Sequence, residues 1–198
     1  MNIVFDLGGV VFRWQPEVII VSAFEDENTQ GFVRKEIFEH SDWIELDRGT
    51  ISLEAAIDRG ATRTGLPAQD IARLLNTVPR FLTPIDKTID LICRLSDTGN
   101  KLFVLSNMHR ASITYLEQQY DIWEMFHGVV ISSRIKTVKP EIEIYQHLLD
   151  KYQLRPAETI FIDDTEENLT AASSLGIQTI RFFDSTQCER ALVDRQCL

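Results

Sequence analysis

The chain has 198 residues, of which 44% are hydrophobic and 25% are charged, as expected for one globular domain or for a domain with a sizeable insertion. Its formal net charge is -10, whereas binding to nucleic acid or to an anionic membrane surface requires basic surface. We therefore expect neither nucleic acid nor a membrane as a main partner.

Cysteine usage and hydropathy indicate the compartment. The three cysteines show no CxxC spacing, so reduced thiols are the simplest interpretation. No signal peptide precedes the first apolar run, and no apolar run approaches the length of a membrane span. We expect a cytoplasmic protein, and nothing in the sequence indicates its oligomeric state.

The first predicted element is a buried strand that ends in an acidic residue. Residues 3–5 are apolar, Asp6 follows at once, and Gly8 and Gly9 come directly after Leu7. The two glycines allow the backbone to turn tightly beside the carboxylate. Open α/β sheets place their chemistry at the carboxyl ends of strands, so Asp6 is a candidate nucleophile.

The next segment, residues 15–82, contains no convincing buried strand. Its apolar residues form helix-like patches at 18–24, 32–38, 53–61 and 71–75. The pattern predicts an inserted helical cap domain at 15–82 and a core domain made of 1–14 and 83–198. A domain inserted there would cover the strand edge that carries Asp6. The alternative is a set of extra helices packed on a sheet face.

The rest of the chain alternates between predicted strands and predicted helices. Four further apolar runs lie at residues 102–105, 129–131, 160–162 and 179–183. Continuous apolarity of this kind is typical of strands that are buried on both faces of a parallel sheet. Helical patterns separate the runs, at residues 85–95, 142–152 and 166–175. The alternation predicts an α/β fold with a doubly wound parallel sheet.

Polar motifs follow three of these runs. Ser106 and Asn107 come after the second strand, Lys139 lies a short loop beyond the third, and Asp163 and Asp164 end the fourth. Each motif alone has an ordinary explanation as a turn or a helix cap. The carboxyl ends of parallel strands share one edge of the sheet, however, so these groups can converge on Asp6.

Together the motifs fit phosphate chemistry around a divalent cation. Mg²⁺ prefers oxygen ligands, and we predict Asp6, Asp164 and the Gly8 carbonyl as those ligands, with Asp163 as a further candidate. For phosphate binding we predict the turn glycines and the polar motifs: Gly8, Gly9, Ser106, Asn107 and Lys139. Asn107 is expected to contact the phosphate through its backbone N–H.

Four ordered motifs resemble those of the haloacid dehalogenase (HAD) superfamily. They are residues 6–10 (Asp-Leu-Gly-Gly-Val), 105–107 (Leu-Ser-Asn), 139–141 (Lys-Pro-Glu) and 161–164 (Phe-Ile-Asp-Asp). The resemblance covers nearly the whole chain and includes the helical cap of the first subclass. Within the superfamily the chain looks most like the branch that contains the α-D-glucose-1-phosphate phosphatase.

The resemblance implies a Rossmann-like core, dependence on Mg²⁺ and Asp6 as the nucleophile. Ser106 and Lys139 are then catalytic contacts to the phosphate and the intermediate, and Asp164 is a metal ligand. Asn168 matches a position that is often acidic in the family and is expected to act on the site indirectly. The implied reaction forms an aspartyl-phosphate, which water hydrolyses.

The sequence departs from the family pattern at Gly8. Most phosphatases of the superfamily carry a second aspartate at this position, which protonates the leaving oxygen and then activates water. Glycine can do neither, and general acid–base catalysis is typically worth about 10²–10⁴-fold. Candidate substitutes elsewhere in the chain are His109, His40 and Asp47.

Three functions compete as a result. The first is a Mg²⁺-dependent phosphatase acting on a small phosphorylated metabolite, with a sugar phosphate as one candidate. The second is a 2-haloacid dehalogenase-type hydrolase, because halide leaves without protonation. The third is a weakly active or non-catalytic phosphate-binding member. Retention of Ser106, Lys139 and Asp164 together favours the phosphatase.

Overall fold

Five parallel strands form one sheet in the computed structural model, which describes residues 1–198. The strands are β1 (Asn2–Phe5), β2 (Lys101–Ser106), β3 (Gly128–Ile131), β4 (Thr159–Asp163) and β5 (Gln178–Arg181). Their order across the sheet is β3-β2-β1-β4-β5. The predicted α/β class and doubly wound parallel sheet are therefore confirmed. β5 ends two residues before its apolar run does.

Both faces of the sheet are buried, which explains why the sequences of the strands contain continuous apolar runs. Side chains alternate between faces along a strand, so Ile3 and Phe5 join a core of 24 buried residues, while Val4 joins a second core of 12 on the other face. In the register, Phe5 pairs with Val104 on β2 and with Ile162 on β4. This register brings the residues that follow β1 level with the end of β4.

Five helices follow β1 before the next strand begins. They are α1 (Pro16–Ala23), α2 (Glu27–Val33), α3 (Ser41–Arg48), α4 (Leu53–Thr64) and α5 (Ala68–Phe81), and α2 runs directly into a π-helical turn at Arg34–Phe38. We refer to α1–α5 as the inserted helices. They share a third core of ten buried residues, none of which belongs to the two sheet cores. The division into cap and core domains at residues 15 and 82 stays a prediction.

Six helices complete the fold. They are α6 (Asp86–Asp97), α7 (Arg110–Gln119), α8 (Ser132–Ile135), α9 (Ile142–Tyr152), α10 (Glu166–Ser174) and α11 (Ser185–Val193), with 3-10 turns at Ile122–Met125 and Pro156–Glu158. None of the helices combines the length and the apolar character needed to cross a lipid bilayer.

The end of α3 fastens the inserted helices to the sheet. Arg48 donates two hydrogen bonds to the carboxylate of Glu141, at 2.7 and 2.8 Å. The Ser132 hydroxyl donates to the Asp47 carbonyl at 2.5 Å, and the Lys136 ammonium donates to the Gly49 carbonyl. Three consecutive residues of the insertion are thus anchored to the segment that follows β3.

Truncation of Leu74 should destabilise the protein through the core of the inserted helices. Leu74 lies on α5 and is fully buried, so Leu74→Ala leaves a cavity and should lower the free energy of unfolding by about 2–5 kcal/mol. Val21→Ala on the exposed face of α1 is the control and should change that free energy by no more than about 0.5 kcal/mol. Urea unfolding monitored by circular dichroism measures both. Equal effects would show that this core contributes little.

Candidate active site

A buried lysine joins two carboxylates at the carboxyl edge of the sheet. The Lys139 Nζ lies 2.9 Å from the Asp6 Oδ2 and 2.6 Å from the Asp163 Oδ2. Asp6 follows β1 directly, Asp163 ends β4, and Lys139 arrives from the loop between α8 and α9. Three of the predicted site residues are thus in direct contact, although they lie far apart in the sequence.

The Asp163 carboxylate is fully committed to protein partners. Its side chain is completely buried, and its oxygens accept hydrogen bonds from the Asn168 amide at 3.0 and 3.2 Å and from the Thr165 backbone N–H at 2.8 Å. A buried charge is tolerated when it is paired and hydrogen-bonded. Asp163 therefore holds Lys139 in place, which makes it a less open ligand position than its neighbour Asp164.

The Asn107 side chain fixes the backbone of Lys139. Its amide donates to the Lys139 carbonyl at 2.9 Å, and its oxygen accepts from the Lys139 N–H at 2.8 Å. We predicted Asn107 only as a backbone contact to phosphate, and its side-chain role was missed. The sequence carries no signal for it, because the two residues are joined only by the fold.

Ser106 ends β2 with an unpaired buried hydroxyl. The residue is 1% exposed, and its Oγ has no hydrogen-bond partner. A buried hydroxyl without a partner costs free energy, so such groups are rare unless a ligand or water completes them. The hydroxyl lies close enough to Asp6 to lower the pKa of that carboxyl but makes no hydrogen bond of normal length. It therefore fits a residue that donates to an oxygen of a ligand bound beside Asp6.

Three carboxylates meet at this edge. One oxygen from each of Asp6, Asp163 and Asp164 lies within 4.8 Å of the other two. The backbone passes close to Asp164 at Gly9, whose φ is +77° and where an added Cβ would lie 2.4 Å from the Asp164 Oδ2. Gly9, predicted as a phosphate contact, thus lies against a carboxylate. This donor set of hard oxygens fits Mg²⁺.

The buried charges at this edge shift the pKa values of Asp6 and Lys139. Burial raises the pKa of Asp6 to about 7; the charge of Asp163 adds to the rise, and Lys139 opposes it. Burial alone would lower the pKa of Lys139, but Asp6 and Asp163 outweigh burial and hold that pKa above its ordinary value. Lys139 therefore stays charged at neutral pH.

A cavity of about 200 Å³ lies between this edge and the inserted helices. The sheet side contributes Asp6, Gly8, Asn107, Lys139 and Asp164 to its lining, and the inserted helices contribute Trp43, Asp47 and Val78. Trp43 packs against Trp14 and Phe38, with ring centroids 5.5 and 4.8 Å away. These five predicted residues therefore share one cavity with residues of the insertion, whereas Gly9, Ser106 and Asp163 are not among its lining residues.

The three candidates for the missing acid are placed differently. Asp47 and His109 line the cavity. His40 is the N-cap of α3, where its Nδ1 accepts from the Asp42 N–H at 3.1 Å, and it does not line the cavity.

A family model for haloacid dehalogenase-like hydrolases matches residues 20–182. The chain belongs to this family. A sesquiterpene phosphatase of Aspergillus oryzae is 29% identical over 182 residues, which cover 92% of this chain and 89% of that protein. The resemblance to the superfamily seen in the motifs is thus confirmed, and the protein is a HAD-like hydrolase. Its placement in the glucose-1-phosphate phosphatase branch stays a prediction.

Solved structures share the fold. A HAD family enzyme of Bacteroides thetaiotaomicron, in complex with magnesium and inorganic phosphate, superposes with a TM-score of 0.73 at 26% identity and covers 91% of this chain and 92% of that chain. A predicted HAD-like family hydrolase of Porphyromonas gingivalis gives 0.75 at 24% identity, over 98% of this chain and 96% of that chain. The HAD architecture therefore extends over nearly the whole molecule, inserted helices included.

Replacement of Lys139 should destabilise this HAD-like hydrolase. Lys139→Met leaves Asp6 and Asp163 buried without a counter-charge, and breaking a buried pair in this way typically costs about 3–5 kcal/mol of unfolding free energy. Lys87→Met on the exposed face of α6 is the control and should cost less than about 0.5 kcal/mol. Urea unfolding at neutral pH measures both. A loss at Lys139 as small as at Lys87 would mean that the buried carboxylates do not need the lysine.

Proposed function

We propose that this HAD-like hydrolase is a Mg²⁺-dependent phosphatase that acts on a small phosphorylated metabolite. One observation carries the proposal: the Asp6 carboxylate, the buried Lys139 ammonium and the unpaired Ser106 hydroxyl converge at one edge of the sheet. A nucleophile next to fixed groups that stabilise negative charge is the arrangement that phosphoryl transfer requires. The A. oryzae relative, a sesquiterpene phosphatase, supports the same reaction.

Asp6 and Asp164 would hold the Mg²⁺, with the Gly8 carbonyl as a further ligand. Asp6, Gly8 and Asp164 line the cavity, whereas the oxygens of Asp163 are occupied by Lys139 and Asn168. A bound Mg²⁺ supplies positive charge that offsets repulsion between a carboxylate and a phosphate dianion. The magnesium and phosphate complex of the B. thetaiotaomicron enzyme supports this choice of cation.

Each residue of the site has a separate role in the proposed reaction. The Asp6 Oδ1 accepts a hydrogen bond from the Leu7 backbone N–H at 2.7 Å. This bond orients the carboxylate for attack on phosphorus. Attack forms the aspartyl-phosphate and releases the alcohol, and water then cleaves the acyl-phosphate bond. Lys139 stabilises charge on the phosphoryl oxygens, and the Ser106 hydroxyl together with the Asn107 backbone N–H donates to them.

The cavity favours a compact organic group beside the phosphate. Its volume is about 200 Å³, and its apolar lining consists of Trp14, Trp43, Val78, Leu82 and Met108. An apolar chain or the flat face of a ring can pack on these side chains. We therefore propose a small phosphate monoester, with sugar phosphates and terpenyl phosphates as the two classes to compare.

A dehalogenase or a non-catalytic phosphate-binding protein fits the cavity less well. Displacement of halide needs neither a metal ligand at Asp164 nor a donor to phosphate at Ser106. A protein that only binds phosphate has no need of a nucleophile in contact with Lys139.

Replacement of the nucleophile should abolish hydrolysis. Asp6→Asn removes the charged oxygen that attacks phosphorus, so hydrolysis of p-nitrophenyl phosphate with Mg²⁺ should fall to the background rate. Asp90→Asn, on the exposed face of α6, is the matched control and should keep full activity. Retained activity in the Asp6 variant contradicts the assignment. If the unaltered enzyme cleaves no phosphate ester but releases halide from haloacids without Mg²⁺, the dehalogenase is the correct alternative.

Gly9→Ala should weaken Mg²⁺ binding by displacing Asp164. Both Gly9 and Gly65 have positive φ angles, of +77° and +70°, but only the added Cβ at Gly9 meets another residue, the Asp164 carboxylate. Gly65→Ala is therefore a control with similar backbone strain, of about 1–2 kcal/mol. Isothermal titration calorimetry should show Mg²⁺ affinity reduced at least about tenfold for Gly9→Ala, equivalent to about 1.4 kcal/mol, and unchanged for Gly65→Ala. Equal affinities would exclude Asp164 as a ligand.

A further inference from the structure

Gly8 leaves the proposed reaction without a proton donor and acceptor. The departing oxygen of a phosphate ester needs a proton unless it is a stable anion, and the water that hydrolyses the aspartyl-phosphate must lose one. Glycine has no side chain to perform either transfer. If the protein is the proposed phosphatase, another group of the cavity must supply this chemistry, and the inference drawn here rests on that proposed function.

Five titratable side chains line the cavity: Asp6, Asp47, His109, Lys139 and Asp164. Asp6 is the proposed nucleophile, and Asp164 is the proposed metal ligand. Lys139 is held between two carboxylates at 2.9 and 2.6 Å, so it stays charged and cannot accept a proton from water. Two candidates remain, Asp47 and His109.

His109 makes its hydrogen bonds with Ser112 of α7. The residue is 3% exposed, its Nδ1 accepts from the Ser112 N–H at 3.4 Å, and its Nε2 lies 2.9 Å from the Ser112 hydroxyl. Both ring nitrogens are therefore engaged with Ser112, and the Nδ1 bond caps α7. Burial also lowers the pKa of His109 to about 4, so the ring is neutral at physiological pH and has no proton to donate as an imidazolium.

Asp47 is held in the cavity wall from several sides. Its backbone carbonyl lies at the end of α3, where a helix cannot satisfy it internally, and accepts from the Ser132 hydroxyl at 2.5 Å. The same hydroxyl accepts from the Met108 N–H at 2.9 Å, next to the phosphate-binding motif. The following residue, Arg48, is bound to Glu141, two residues after Lys139. The position of Asp47 is therefore tied to both loops of the active site.

The wall that carries Asp47 lies on the inserted helices, whereas Asp6 lies at the strand ends. In-line displacement places the leaving oxygen on the side of phosphorus away from the attacking carboxylate. A side chain on the inserted helices can therefore reach that oxygen from the wall that faces the strand end. Asp47 is the titratable residue that the inserted helices contribute to the cavity.

The surroundings of Asp47 suit proton transfer near neutral pH. Burial raises the pKa of Asp47 to about 7, and the charge of Asp6 adds to the rise. The His109 backbone N–H, the Lys139 ammonium and the Trp43 indole oppose it. A carboxyl group with a pKa near the working pH can both donate and accept a proton during one turnover.

We propose that Asp47 is the general acid and base of this enzyme and replaces the aspartate that is absent at Gly8. In the first step the Asp6–phosphorus bond forms, the phosphorus–oxygen bond of the ester breaks, and the Asp47 carboxyl gives its proton to the departing oxygen, releasing the alcohol. In the second step water attacks phosphorus, the Asp47 carboxylate takes a proton from that water, and inorganic phosphate and free Asp6 result. The proton that Asp47 loses is regained within one turnover.

The test compares leaving groups in the Asp47→Asn variant. An alkyl phosphate has a poor leaving group and depends on the acid, so its kcat/KM should fall by about 10²–10⁴-fold. p-Nitrophenyl phosphate has a good leaving group, and the fold-decrease in its kcat/KM should be at least ten times smaller than the decrease for the alkyl phosphate. Asp58→Asn on the exposed face of α4 lies outside the cavity and should leave both values unchanged. Thermal unfolding checks that the Asn variant folds.

The pH profile separates catalysis from structural support. Asp47 donates only when protonated, so kcat/KM for the alkyl phosphate should fall relative to kcat/KM for the aryl phosphate as pH rises through about 7. Asp6, whose pKa is also about 7, attacks both esters, so its titration does not affect this comparison. Asp47→Asn should remove this difference between the two esters. The pH profiles of the wild-type enzyme alone test the proposal even if the Asn variant does not fold.

Two results would overturn the assignment. One is an equal loss on both esters in Asp47→Asn with the same pH profile as the wild type. The other is a wild-type preference between the two esters that does not change with pH. Either outcome leaves the phosphatase function intact, because the wild type still hydrolyses p-nitrophenyl phosphate. Absence of wild-type hydrolysis with Mg²⁺ would instead reject the proposed function on which this inference rests.

Discussion

The candidate active site depends on one buried ammonium group placed between two carboxylates. Lys139 lies within 2.9 Å of Asp6 and within 2.6 Å of Asp163, and a third carboxylate, Asp164, lies close by. Charges of one sign cannot be gathered in a low-dielectric interior without a neutralising partner. The lysine therefore allows the strand ends to carry acidic residues side by side, and the rest of the site is arranged around this pair of contacts.

The inserted helices complete the cavity instead of merely covering a sheet face. They contribute Trp43, Asp47 and Val78 to its lining, and the Arg48–Glu141 pair joins the end of α3 to the Lys-Pro-Glu motif. The loop that carries the lysine thus holds the helix that carries Asp47. An acid supplied from the insertion would also explain how the turn after β1 can consist of glycine without loss of the chemistry, because the second carboxyl group then comes from α3 and not from the turn.

Much of the fold could be predicted from the sequence, because strands buried on both faces leave a pattern of apolar runs, and four of the five predicted strands are followed by a polar motif. The contacts among those motifs could not be predicted. Asn107 was expected to bind phosphate through its backbone, but its side chain holds Lys139. Asp47 could be named only as one of three substitutes for Gly8, since its burial depends on packing of α3 against the segment after β3. Side-chain partners that the sheet and the insertion bring together leave no local periodicity.

The contacts of Lys139 with Asn107, Asp6 and Asp163 order its side chain before any ligand binds. A surface lysine has many rotamers and surrenders them when it meets an anion, which weakens the association. Here two hydrogen bonds fix the backbone of Lys139, and two carboxylates fix its ammonium group. The entropy of ordering this side chain is spent when the polypeptide folds. An arriving ligand therefore meets a cation that has almost no freedom left to give up.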